Sequence, residues 1–145
     1  MTLAAFGRVE EAIALIAGRY ADVAARDPDL ARNVAAADPD DVRDWHAAGR
    51  LHAIQAGGAT VGLLAVAPGA VEWIEGDEVH EEAVATAHAG RGYAAAAQAA
   101  WAAAAPDPGR LLVGTIDWLN HASRRTAERA GRAAVLVYAF VPLAG

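Results

Sequence analysis

Apolar residues recur at helical spacing in the first part of the chain. Ile13, Ile16 and Tyr20 fall on one face of a helix because three or four residues separate them. Similar segments follow, bounded by Asp-Pro pairs and glycines that interrupt or end a helix. The pattern predicts helices over residues 9–26, 30–37, 42–48, 93–105 and 121–130.

Short runs of β-branched and large apolar residues lie between these helical segments. Gly57 and Gly58 separate two of the runs, and such a pair is typical of a tight hairpin turn. Pro68 and Gly69 mark a second predicted turn. The pattern predicts strands over residues 51–55, 60–66, 78–85, 111–116 and 133–142.

The order of the elements indicates one mixed α/β (α+β) domain over residues 1–145. Helices come first, a hairpin follows, and the second half alternates as βαβαβ. A chain of 145 residues can form one core without disulfides or metals. The final predicted strand is a plausible sheet edge over residues 133–141. Two chains could pair along this edge, so we predict a homodimer.

Missing residue types exclude several mechanisms. The chain has no cysteine and no lysine, and its only serine is Ser123. Thiol nucleophiles, thiolate metal sites, P-loop lysines and pyridoxal Schiff bases are therefore excluded. Ser123 lacks the flanking glycines of a nucleophile elbow. No histidine spacing typical of a metal site occurs, so we expect no metal.

The charge and hydropathy patterns limit the classes of molecule that the chain is expected to bind. A formal net charge of −6 argues against nucleic-acid binding, which depends on cationic groups. It suits a cationic small molecule, although solubility alone explains it as well. Glu10 and Glu11 precede any long apolar run, unlike in a signal peptide. The most apolar stretch, 93–105, is shorter than the ~20 residues of a membrane span. We expect a cytoplasmic protein without membrane contact.

The segment most informative about chemistry is a predicted strand that runs into Gly90-Arg-Gly92 and then into a helix. Glycine lets a ligand approach the main chain, and the free amides of a helix N-terminus favour an anion such as pyrophosphate. The turn lacks the third glycine of a dinucleotide-binding fingerprint. Many such turns only connect a strand to a helix. The surrounding sequence therefore has to indicate whether this turn binds a ligand.

The surrounding sequence resembles the GCN5-related N-acetyltransferase (GNAT) family. The family's pyrophosphate loop follows the pattern Gln/Arg-x-x-Gly-x-Gly/Ala, which falls here on residues 89–94. Gly92 and Ala94 match the pattern, whereas Ala89 stands where glutamine or arginine is usual. The loop alone would be a partial match.

A second signature follows about 25 residues later, at residues 120–131. Asn120 stands after the predicted fifth strand, Ser123 is the small residue three positions on, and a glycine closes the helix. Two signatures in the family's order strengthen the resemblance. It covers residues 51–143 well and the N-terminal helices loosely, and the family's usual first strand is hard to find before Val9.

The resemblance implies the GNAT fold, a mixed central sheet in which splayed parallel strands hold acetyl-CoA. It implies direct transfer of an acetyl group from acetyl-CoA to an amine of a small molecule or peptide. The loop amides would hold the CoA pyrophosphate, and the Val84 N–H would polarise the thioester carbonyl. Ordinary helix capping is the alternative role for Asn120 and Ser123. The implied cofactor-binding residues are Val84, Ala85, Ala89, Gly90, Arg91, Gly92, Tyr93, Ala94, Asn120 and Ser123.

The strand before the loop carries the candidate general base. Strand alternation predicts Glu78, His80 and Glu82 on one face. Buried together, such groups would raise a carboxyl pKa toward neutrality, which suits a base. We predict Glu82 and Glu78 as the catalytic residues. The alternative is that this segment frays into solvent and its charges are merely hydrated.

Two departures from the family pattern bear on transfer. Ala127 stands where many members carry the tyrosine that protonates the thiolate, and Arg132 replaces the usual aromatic residue. Tyr93, Tyr138 or water would have to supply the proton. The second hypothesis is therefore a GNAT-fold module that binds or senses acyl-CoA without efficient transfer, and the third is a purely structural domain.

Overall fold

Five strands form a single sheet, and helices cover both of its faces. The computed structural model describes residues 1–105, 107 and 109–141. Its strands and α-helices are β1 (Thr2–Ala5), α1 (Val9–Arg26), α2 (Pro28–Ala31), α3 (Pro39–Ala47), β2 (Leu51–Ala56), β3 (Ala59–Val71), β4 (Ile74–Val84), α4 (Tyr93–Ala104), β5 (Leu112–Val113) and α5 (His121–Arg129), and a short 3-10 helix spans Thr86–His88. The strands lie in chain order, antiparallel except for the parallel pair β4 and β5. The prediction of a mixed sheet flanked by helices is confirmed.

The sheet opens between its two parallel strands. β5 pairs with β4 only through Asp77–Leu112 and Glu78–Val113. β4 continues to Val84. Past Glu78, the backbone groups on the side of β4 that faces β5 therefore have no paired strand in the described chain. Two splayed parallel strands result, as the resemblance implies.

Each face of the sheet has its own apolar cluster. Ile16 of α1 and Val42 of α3 pack with Leu63 of β3 on one face. Ala97 of α4 packs with Leu64 and neighbouring residues on the other face. Alternate residues of β3 thus enter opposite clusters, which explains why that strand reads as a continuous apolar run.

The second and third helices begin earlier than the pattern predicts. The Asp27 side chain accepts a hydrogen bond from the Leu30 N–H, and Asp38 does the same for Asp40. In each case proline is the first helical residue, where its missing N–H and fixed φ do no harm. The Asp-Pro pairs therefore start helices. α2 also ends at Ala31, short of the predicted Ala37.

One strand is present, and two others are longer, where the sequence gives a weak signal. Thr2–Ala5 forms β1 and pairs with β2, so the family's first strand is present. β3 and β4 continue through the predicted Pro68-Gly69 turn and reverse instead at residues 72 and 73, where Glu72 takes a φ of 56°. Pro68 is tolerated in β3 because β2 pairs with β3 only as far as Ala65.

The predicted C-terminal strands are the main error. β5 has two residues instead of the six expected over 111–116. Residues 133–141 form no strand, and Val137 and Phe140 are 78% and 94% exposed. Strand propensity alone does not order a segment that lacks a hydrogen-bonding partner. The βαβαβ order therefore stops at α5. The homodimer stays a prediction, but the strand edge on which it rests does not form in the described chain. Pro142 lies outside the described residues.

Among the described helices, none combines the length and the hydropathy that a membrane span requires.

Candidate active site

A β-bulge decides which acidic side chains of β4 face which side of the sheet. Glu81 pairs with Ala65, but the next pair is Val79 with Val66, so His80 is an extra residue in β4. A bulge reverses the alternation on its far side. Glu78 and Glu81 consequently belong to the α1 face. The prediction that Glu78, His80 and Glu82 share one face is wrong.

Glu82 lies on the α4 face, opposite Leu64. One of its carboxylate oxygens, Oε2, accepts a hydrogen bond of 2.8 Å from Nε2 of Gln98. The other, Oε1, is buried and has no hydrogen-bond partner in the described chain. Burial raises the pKa of Glu82 to about 7, although the Gln98 bond and the nearby Arg132 act against this rise.

Two cavities meet at Glu82. The first, which we call the loop cavity, has a volume of about 400 Å³ and lies beside the glycine loop and α5. The second, the strand cavity, has about 290 Å³ and lies between β4, residues 33–35 and residues 114–117. Glu82 and Ser123 line both. Glu82 thus adjoins two spaces, each of which could hold one reactant.

The glycine loop forms the wall of the loop cavity. Gly90 and Gly92 have φ values of 77° and 79°, in the left-handed region that favours glycine. α4 begins directly afterwards, and no described side chain caps its first turn. Its first intrahelical bond runs from the Ala96 N–H to the Gly92 carbonyl, so the preceding amides are free to bind an anion.

Positive charge is concentrated at the loop cavity even though the chain is acidic overall. Arg19 of α1, Arg91 of the loop and Arg125 and Arg129 of α5 all line it. Glu82 is the one carboxylate among its described lining residues. Four arginines beside free helix amides suit a ligand that carries several phosphate charges.

The end of β4 directs one backbone donor into the sheet opening. The Ala85 N–H bonds to the Val61 carbonyl at 2.9 Å, toward β3. Adjacent residues of a strand direct their N–H groups to opposite sides, so the Val84 N–H faces the open side. Val84 also lines the loop cavity.

Most of the residues predicted to bind the cofactor lie together. Eight of them line the loop cavity: Val84, Ala89, Gly90, Arg91, Gly92, Tyr93, Ala94 and Ser123. Ala85 does not line it, and its N–H bonds to the Val61 carbonyl instead. Asn120 lines the strand cavity instead, and its Oδ1 caps α5 by accepting from the Ser123 N–H at 3.1 Å. Glu78 lines neither cavity and packs against Gly69.

Several residues at the site were missed by sequence reasoning. Glu81 is 5% exposed, lines the strand cavity and accepts hydrogen bonds from the Tyr20 hydroxyl at 3.4 Å and the Ala37 N–H at 3.2 Å. Burial raises the pKa of Glu81 and raises that of Tyr20 to about 12. Gln98 had a usable signal, because it is the one amide side chain in an alanine-rich helix.

Comparison with known proteins rests on structure, since the sequence matches no protein-family profile and no curated protein. A ribosomal-protein-alanine N-acetyltransferase from Brucella melitensis biovar Abortus 2308 is similar over 99% of both chains, with 18% identity and a TM-score of 0.59. A GNAT-family acetyltransferase from Colwellia psychrerythraea is similar over 90% of this chain and 45% of its own, with 13% identity and a TM-score of 0.58. The chain has the GNAT fold.

A third neighbour, a possible acetyltransferase from Clostridium difficile 630, is similar over 99% of this chain and 98% of its own. Its identity is 11% and its TM-score 0.56. Structural similarity at such low sequence identity establishes the fold alone. The activity has to be argued from the site.

Proposed function

We propose that this GNAT-fold chain is an N-acetyltransferase that transfers the acetyl group of acetyl-CoA directly to an amine. One observation carries the proposal: Glu82, a residue that lines both the loop cavity and the strand cavity, has a carboxylate with one buried oxygen, Oε1, that has no hydrogen-bond partner in the described chain. A carboxylate with a pKa of about 7 at such a junction suits a general base between two substrates.

The loop cavity fits the phosphate groups of CoA. The free amides of the first turn of α4 would hold the pyrophosphate, and the cavity arginines would neutralise the remaining phosphate charge. The thioester would extend along β4 toward Val84, whose N–H faces the opening and would polarise the carbonyl. Acetyl-CoA supplies an acetyl group already activated as a thioester.

Glu82 would prepare the acceptor for attack. The Glu82 carboxylate takes a proton from the ammonium, directly or through a water molecule, and leaves a neutral amine. The amine nitrogen forms a bond to the carbonyl carbon, the carbon–sulfur bond breaks, and the sulfur leaves with the electron pair. The second amine proton passes to the thiolate, directly or through water, which gives an amide and free CoA.

Protonation of the departing sulfur has few candidates. Ala127 is buried and cannot donate. Tyr138 donates to Glu72 at 2.9 Å near the β3–β4 reversal and lines neither cavity. Tyr93 lines the loop cavity and Tyr20 the strand cavity. A thiol with a pKa of ~8.5 needs no strong acid, so water or Tyr93 suffices. Tyr20 is less suited, because its hydroxyl donates to Glu81 and its pKa is raised to about 12.

The strand cavity would hold the acceptor. Glu81, Glu82 and Asp117 line it, with Arg132 as an opposing charge. A volume of about 290 Å³ suits a small cationic amine or the first residue of a peptide. The Brucella neighbour is named for an alanine N-acetyltransferase of ribosomal proteins, so a peptide N-terminus is one acceptor class to test.

Ala89 and Ala127 favour a second candidate, an acyl-CoA-binding module without efficient transfer. Calorimetry with acetyl-CoA and a thiol-release assay with a panel of amines and peptide N-termini separate the two. Binding with turnover supports the enzyme, and binding without turnover supports the module. No binding at millimolar acetyl-CoA would remove both candidates.

A further inference from the structure

Gln98 occupies a position where an amide is costly unless it is fully bonded. It lies on α4 among alanines and is 3% exposed. A buried polar group without partners destabilises a protein by about 1–3 kcal/mol. Gln98 avoids this cost because both ends of its amide are bonded to charged groups, Glu82 and Arg132.

The chemistry of these partners fixes the orientation of the amide. Nε2 of Gln98 donates to the Glu82 carboxylate at 2.8 Å, and Oε1 of Gln98 accepts from Nη1 of Arg132 at 3.2 Å. An ionised carboxylate only accepts and a guanidinium only donates, so the reversed amide would face a mismatch at both ends. The bridge therefore has one favourable arrangement.

Arg132 is itself anchored by the end of α5. Gly131, with a φ of 87°, bonds through its N–H to the Glu128 carbonyl, and the Arg132 N–H bonds to the Ala127 carbonyl. These two bonds form a Schellman motif, which fixes where the chain leaves the helix. A Cβ at Gly114 would lie 2.9 Å from the Arg132 guanidinium, so glycine leaves room for the side chain there.

We propose that Gln98, anchored by Arg132, is a positioning residue that holds Oε2 of Glu82 and thereby fixes the orientation of the carboxylate between the two cavities that Glu82 lines. The inference rests on the proposed role of Glu82 as a general base. It explains why the two oxygens of the Glu82 carboxylate differ: one is hydrogen-bonded, and the other is buried without a partner.

Other charged groups also act on Glu82. Arg132 faces it from beyond α5, and Glu81 adjoins it on β4. Arg19 of α1 and Arg125 and Arg129 of α5 line the loop cavity with it. Gln98→Met leaves all of these charges in place and removes only the amide, so its effect can be assigned to the two hydrogen bonds.

The test is a pH profile of kcat/KM for wild type, Gln98→Met and Arg132→Met, with the exposed Gln55→Met as a matched control. Loss of the Gln98 donor disfavours the ionised carboxylate, so the acidic limb should move up by roughly one pH unit. Loss of alignment should also lower the high-pH plateau, by roughly 10-fold. Gln55→Met should change neither.

Each alternative result is informative. An unmoved limb and plateau in Gln98→Met would overturn the inference while leaving the enzyme proposal intact. A moved limb with an unchanged plateau would show that Gln98 tunes charge without positioning. If Gln98→Met does not fold, Gln98→Ala decides by the same criteria, because it too leaves every charge in place. Arg132→Met removes a charge that itself lowers the pKa of Glu82, so it serves only as a comparison. A wild-type protein without turnover would overturn both proposals.

A double variant provides the second arm. If Gln98 acts through Glu82, then Gln98→Met should cause no further loss of kcat/KM in a Glu82→Gln background. Losses that multiply would mean that the two residues act independently, and the positioning role would be wrong.

Discussion

Gly62 of β3 lies directly opposite Val84 of β4, with no room for a side chain between them. A Cβ at Gly62 would lie 2.6 Å from the Ala83 carbonyl oxygen and 3.1 Å from the Val84 Cα. The backbone donor that faces the sheet opening is thus held by a close approach of two strands. Such an approach is a common reason for glycine inside a strand.

Gly62→Ala should therefore destabilise the protein and displace Val84. We expect a loss of about 1–3 kcal/mol in the free energy of unfolding, together with a lower kcat. Gly18→Ala is the control, because Gly18 is an exposed position within α1 with open space around it. That change should instead stabilise by about 0.5–1 kcal/mol. Urea unfolding measures both, and equal stability of wild type and Gly62→Ala would contradict the packing argument.

Glu82→Gln should lower kcat by roughly 100-fold or more, because the amide cannot accept the ammonium proton. The affinity for acetyl-CoA, measured by calorimetry, should change little. Glu78→Gln is the matched control on the same strand, since Glu78 lines neither cavity. A similar loss of kcat in both variants would contradict the assignment of the catalytic role to Glu82 and not to Glu78.

The same Glu82→Gln variant should change how stability depends on pH. The pKa of Glu82 is about 7 in the folded chain and near 4.5 when unfolded, so the folded state binds the proton more tightly. The stability that this proton supplies is present below about pH 4.5 and is lost as the pH rises through 7. At pH 8.5 the variant should exceed wild type by up to about 3 kcal/mol. At pH 4.5 the two should be similar in urea unfolding, and an equal difference at both pH values would exclude the carboxyl group as its cause.

Gly92→Ala should weaken CoA binding, because the φ of 79° is strained for alanine and the loop amides would shift. Gly58→Ala is a matched control with a φ of 80° in the β2–β3 turn, outside both cavities. Both variants should lose about 1 kcal/mol of stability. Only Gly92→Ala should raise the Kd for CoA, and a rise in both would point to a general loss of folding.

The arginines of α5 should contribute to affinity through phosphate charge. Arg125→Gln combined with Arg129→Gln should weaken CoA binding several-fold and reduce its sensitivity to salt. Arg124→Gln on the same helix is the control, because that guanidinium lies over the Trp118 ring, 4.1 Å from its centroid, and does not line the loop cavity. Calorimetry at two salt concentrations would show whether the variants differ as expected.

The sequence by itself determines the glycine loop and the capped α5 because both depend on local chemistry. Gly90 and Gly92 adopt φ values that glycine favours, and Asn120 caps the helix three residues before Ser123. The helical spacing of α1 is equally local, and its predicted bounds agree with the structure. Eight predicted binding residues consequently lie together at one cavity.

Only the tertiary structure decides the acidic site and the last strand. His80 becomes an extra residue through the pairing of β4 with β3, and this pairing sends Glu78 and Glu82 to opposite faces. Gln98 and Arg132 reach Glu82 from elements that are distant in the chain. Residues 133–141 have the composition of a strand, yet form none in the described chain. Strand register and side-chain bridges depend on partners far away in sequence, and no local pattern specifies them.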